Sequence, residues 1–148
     1  MEGARYLIVD AHSMIFAWDD LRALHSRNRA AARDELVRRL TAYQDASGER
    51  VVVVFDGGSE KRASRGHKDP DGIQVLYSAK GQTADAVIER LALKYAKTYR
   101  LTVATNDIAE RNAIFANGAE WVGAETLARM LEREDAEIQR RIEKLRRR

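Results

Sequence analysis

The chain has 148 residues, with 26 Lys and Arg against 23 Asp and Glu, a net charge of +3, three histidines and no cysteine. That length fits one domain whose core is large enough to fold without a disulfide or a structural metal. The lack of cysteine excludes a disulfide scaffold, a cysteine nucleophile and thiolate-bound zinc, and His12, His25 and His67 form no HExxH or other close metal-ligand spacing. The opening MEGARYLIVDAHS holds only a short apolar run ended by Asp10, unlike a signal peptide. No stretch is long enough to span a membrane, so the expectation is a cytoplasmic protein without a membrane partner.

Residues 5–10 (RYLIVD) read as a β-rich run ending in an acid. Residues 29–47 read as a helix with Ala32, Leu36, Leu40 and Tyr43 on one face, ended by Gly48, which tolerates positive φ. Residues 51–56 (VVVVFD) form an unbroken apolar run, the pattern of a central parallel strand covered on both faces. Residues 57–72 are a long segment of glycines, a proline and charges, the composition of a functional or mobile loop. Residues 73–77 alternate like a strand, and 83–98 give the clearest helix, with Thr83 as N-cap and Ala84, Val87, Ile88, Leu91 and Tyr95 as its buried stripe. Residues 101–105 are a further strand; Asn106 is placed to cap the helix after it and Gly118 to end that helix. Residues 120–122 make a short strand, and from about 125 the chain is helical and highly charged, with Leu127, Leu131, Ile138, Ile142 and Leu145 on one stripe.

This alternation predicts an α/β layer fold with a mostly parallel sheet and a charged C-terminal helix. Residues 1–131 are expected to form the domain and 132–148 a basic helical extension. Sites in such sheets form at the carboxyl ends of the strands. Three of the predicted strands end at or just before an acid: Asp10, Asp56 and, after Asn106, Asp107. Asp85 opens the clearest helix, and Glu89 follows one turn later on nearly the same face. Each acid taken singly also fits a turn, a helix first turn or a surface ion pair. Gathered on one sheet edge they would repel unless a cation sat among them. Oxygen ligands without cysteine or histidine suit Mg²⁺ or Mn²⁺, and such an ion can activate water for attack at phosphorus. No GxGxxG or GxxxxGK[ST] phosphate loop follows the first strand, which disfavours a nucleotide-binding protein.

The segments YLIVDAHSMIFAW, VVVVFDGG, IQVLYSAKGQTADAVIERL and LTVATNDIAER occur in this order. Together they resemble the YacP-like NYN-domain family, across roughly residues 6–131. That family is similar to the PIN and flap-nuclease superfamily, and the resemblance implies a three-layer, Rossmann-like (PIN/NYN-like) α/β fold. The resemblance implies a metal-dependent endoribonuclease in which Asp10, Asp85 and Asp107 hold the metal and Asn106 assists, with Asp56 and Glu89 at positions often acidic in the group. It also brings messenger RNA and the ribosome in as candidate partners. The usual Gly-Tyr-Asn after the first acid is here Ala11-His12-Ser13, which leaves a hydroxyl at Ser13 for substrate or a metal-bound water.

The acids repel RNA, so basic groups must bring it in. Lys61, Arg62, Arg65 and Lys68 leave the same strand edge as Asp56 and are the candidate phosphate contacts, with Lys80 a weaker one. The basic run at 140–148 suits RNA or an ordinary solvated helix end. Trp18 and Tyr77 suit base stacking or, more simply, core packing. Two other readings keep the fold: an RNA- or ribosome-binding adaptor with a degenerate site, and a toxin ribonuclease of the PIN type. The sequence leaves the oligomeric state open.

Overall fold

The structure is a computed structural model that describes residues 4–57 and 72–147. Among the described residues there are five strands: β1 (Arg5–Asp10), β2 (Arg50–Phe55), β3 (Gln74–Tyr77), β4 (Arg100–Ala104) and β5 (Glu120–Val122). The helices are α1 (Ala11–Ala17), α2 (Asp19–Arg27), α3 (Arg29–Ser47), α4 (Ala84–Tyr95), α5 (Ile108–Ala116) and α6 (Ala124–Arg146). All paired strands run parallel, in the order β3-β2-β1-β4-β5.

Alternation along the strands divides the core into two layers. Leu7 and Val9 of β1, with Val51, Val53 and Phe55 of β2, face α1, α2, α3 and α6. Ile8, Val52, Val54 and Val103 face α4 and α5. The unbroken apolar run of β2 is buried on both sides, as its lack of alternation predicts. Chain order reverses between β1 and β4, the central pair, so a crevice opens where their carboxyl ends diverge.

Local chemistry sets the helix ends. Asn28 accepts from Ala31 N and starts α3, Gly48 ends it at φ 81°, and the Thr83 hydroxyl accepts from Ala86 N at the start of α4. Residues 11–28, which show no clean periodicity, form α1 and α2, meeting at Trp18. Asn106 does not cap the helix that follows it. Asp107 is the N-cap of α5, its Oδ1 accepting from Ala109 N and Glu110 N at 2.9 and 3.2 Å. Asn106 Oδ1 instead accepts from Ala124 N at 2.8 Å, supplying the side-chain cap that Gly123 cannot give α6. Helix α6 runs unbroken through position 131, and its apolar stripe emerges from the body toward the end. Leu127 is buried, whereas Ile142 and Leu145 are 39% and 68% exposed.

Candidate active site

The crevice between the ends of β1 and β4 is where the acids converge. Asp10 ends β1, begins α1 and is 5% exposed. Its Oδ2 accepts from the Ser13 hydroxyl at 2.8 Å and the Thr105 hydroxyl at 2.9 Å. Ser13 Oγ in turn accepts from Asn106 N at 3.1 Å, and Thr105 Oγ1 accepts from Asp107 N at 3.1 Å. The two loops that leave the central strands are thus laced together through hydroxyls, and Asp10 is held at the knot.

Asp85 lies in the first turn of α4 and Glu110 in the first turn of α5. One oxygen from each of Asp10, Asp85 and Glu110 lies within 4.8 Å of the others. Glu110 is 1% exposed, and no donor reaches either of its oxygens. Burial, the close approach of the Asp85 carboxyl, and the charges of Asp10, Asp85 and Asp107 push its carboxyl up to about 10. Two carboxyls held this close favour a proton on one of them. Asp85 is also raised: the neighbouring Glu110 carboxyl pulls it down, but burial, the Asp107 carboxyl and the charges of Asp10 and Asp107 outweigh it. Without a cation the cluster must hold a proton; with one, both acids can ionise. Three carboxylates at this spacing, one of them buried and without a donor, fit a hard divalent cation.

Asp10 and Asp85 therefore meet as the strand-end pattern anticipates, and Asp107 stands beside them as a helix cap whose charge reaches both Asp85 and Glu110. Glu110 is the member that the pattern does not single out. Its signal is the spacing Asp107-x-x-Glu110, which in a sequence reads equally as a capping box. In the fold, Thr105 Oγ1 takes the Asp107 N–H that such a glutamate would take, and Glu110 turns to Asp85.

Two of the other expected acids stand apart from the cluster. Asp56 is exposed past the end of β2, outside the three-acid cluster, and accepts from the Ser78 hydroxyl at 3.0 Å. Glu89 is exposed on α4 and is not part of the cluster either. The Ser13 hydroxyl is engaged with Asp10, Thr105 and Asn106 N. Lys61, Arg62, Arg65 and Lys68 lie outside the described residues. Trp18 is partly buried in the core, its indole N–H donating to Ala124 O at 3.0 Å, and Tyr77 stacks on Phe55. Arg140 and Arg141 pair with Glu137 along the exposed end of α6. A groove of about 840 Å³ opens on the other face of the sheet, between α3 and α6, and contains none of the clustered acids.

A doubly wound parallel sheet with an all-carboxylate cluster at its switch point is the class that fold and site define. A family profile described as YacP-like NYN domain matches residues 7–148, and the chain belongs to that family. It is 37% identical to the uncharacterized protein YacP of Bacillus subtilis (strain 168) over 145 residues, covering 94% of this chain and 82% of that protein. The crystal structure of Rae1 (YacP) from Bacillus subtilis superposes with a TM-score of 0.78 at 35% identity, covering 95% of this chain and 80% of that one. Its W164L mutant gives 0.80 at 34% identity, with 95% and 82% covered. NYN domains are in general nucleases, and they act on RNA. No helix among the described residues is long and apolar enough to cross a membrane.

Proposed function

We propose that this chain is a divalent-metal-dependent endoribonuclease that hydrolyses phosphodiester bonds in RNA in the cytoplasm. The observation that carries the reading is the Glu110 carboxylate, buried without a donor against Asp10 and Asp85. Mg²⁺ or Mn²⁺ would be held by Asp10, Asp85 and Glu110, with Asp107 at the border. When bound, such an ion lowers the pKa of a coordinated water and neutralises charge on the scissile phosphate.

The chain's own groups do the rest. Ser13 and Thr105 fix the plane of the Asp10 carboxylate through two short hydroxyl contacts. Asn106 acts indirectly: its side chain roots α6, while its N–H holds Ser13 in place. Lys61, Arg62, Arg65 and Lys68, which follow β2 in the chain, would bind phosphates of the incoming strand. Residues 1–131 would form the catalytic body. The basic end, 132–148, would add contacts to messenger or ribosomal RNA.

The test is cleavage of single-stranded RNA by purified protein in Mg²⁺ or Mn²⁺, with and without EDTA, beside Asp10→Asn. Cleavage is expected only with metal and only with Asp10 intact. Undiminished cleavage in EDTA, equal cleavage by Asp10→Asn, or none with either metal would each sink the reading.

A further inference from the structure

Arg111 follows Glu110 directly in α5, within a turn and a half of the N-cap. A cation there opposes the helix dipole, whose amino end favours negative charge. Acids cluster around the same turn, yet among the described residues no carboxylate pairs with the Arg111 guanidinium, and its Nε is buried without a hydrogen-bond partner. What the guanidinium has is a ring: its central carbon lies 5.2 Å from the centroid of Trp121.

That ring is fixed to the site. The Trp121 indole N–H donates to Thr105 O at 2.7 Å, and the Thr105 hydroxyl holds Asp10. A Cβ built on Gly123 would meet Asn106 Oδ1 at 3.2 Å and Trp121 Cζ2 at 3.5 Å, so the indole is packed close against the same loop. Stacking steadies the guanidinium while leaving its in-plane N–H groups able to donate. A cation partly withdrawn from water and without an ion pair, one residue along α5 from a member of the acid cluster, is arranged to receive an anion.

We propose that Arg111, seated on Trp121, binds a backbone phosphate of the substrate RNA next to the one being cleaved. This rests on the endoribonuclease reading. Arg111 thereby offsets, at the site itself, the repulsion between the acids and the strand. The planar fork suits a phosphodiester's two free oxygens.

The experiment measures binding of a single-stranded RNA oligonucleotide to wild type, Arg111→Gln and Arg111→Lys. Ca²⁺ replaces Mg²⁺ so that the strand is not consumed. Arg111→Gln is expected to bind about tenfold more weakly, as for loss of one charge-assisted contact. Its slope of log K against log salt should be shallower by about 0.7, one single-strand counterion. Arg111→Lys should keep the slope and lose part of the affinity. With Trp18→Phe leaving Trp121 as the one tryptophan of the two, RNA should change the emission of this protein but not of its Arg111→Gln derivative. Unliganded melting temperatures of wild type and Arg111→Gln should agree. If wild type binds RNA and the variants match it in affinity and slope, the Arg111 assignment alone falls. If wild type binds no RNA, the ribonuclease reading falls with it. If inorganic phosphate gives the same emission change at the same concentration, Arg111 is a general anion site and the substrate assignment is wrong.

Discussion

Replacing Glu110 by Gln tests the reasoning about the acid cluster most directly. Unfolded, this carboxyl titrates near its ordinary 4.5; folded and without metal, it is held up to about 10. The folded chain thus binds a proton that the unfolded chain releases, and the resulting stability is full below 4.5 and declines as pH rises toward 10. At about 1.36 kcal/mol per pH unit, the loss by pH 7 is roughly 3 kcal/mol. Glutamine fills nearly the same volume, has no proton to lose, and can donate to Asp85. Glu110→Gln should therefore match wild type near pH 5 in chelator and exceed it increasingly above that. For a chain of 148 residues, a gain of about 3 kcal/mol at pH 7 is roughly 6–12 °C in melting temperature. Denaturant titrations at several pH values in EDTA measure the difference. Mg²⁺ or Mn²⁺ should then stabilise wild type more than the variant, reversing part of the gap. A variant less stable than wild type at pH 8 in EDTA would refute the argument, because Glu110 would then be making a structural bond and not enduring an unfavourable charge.

Three further outcomes are expected. Asn106→Ala removes the cap on α6 and should cost about 1 kcal/mol in urea unfolding. Gly57→Ala would place a Cβ 2.7 Å from Tyr77 Cβ and 2.8 Å from Ser78 O, and such overpacking should cost about 1–3 kcal/mol by the same assay. Neutralising Lys61, Arg62, Arg65 and Lys68 together should weaken RNA binding at low salt and reduce its salt slope by up to about 3, while calorimetry shows metal affinity nearly unchanged.

The sheet was legible because its strands announce themselves: β2 is an unbroken apolar run, and β1 and β4 each lead into an acid or an Asn-Asp pair. Asp10 and Asp85 were legible for the same reason, since parallel strands bring their carboxyl ends, and the helices that follow, to one edge. The pieces that were not legible depend on partners distant in sequence. Asn106 has a helix starting beside it, and only the fold shows that its amide serves Ala124, 18 residues on. Glu110 sits where a capping glutamate belongs, and its place in the acid cluster appears only when α4 brings Asp85 against it. The Ser13 and Thr105 hydroxyls that steady Asp10 are separated by 92 residues and carry no local pattern. Helices α1 and α2 were obscured because a turn at Trp18 breaks their apolar phase before either completes three turns.

Ala124 is gripped from both sides: its N–H by Asn106 and its carbonyl by the Trp18 indole. It is also the first residue of a 23-residue helix whose far end stands in solvent. At about 1.5 Å per residue that helix is a lever roughly 34 Å long. A sideways push of about 3 Å at its tip is then a rotation of only about 5° at its fulcrum. The fulcrum, however, is tied to the residue that precedes Asp107. A load on the exposed tip of α6 is therefore shared between the packing of its first turns on α3 and two hydrogen bonds at the rim of the acid cluster.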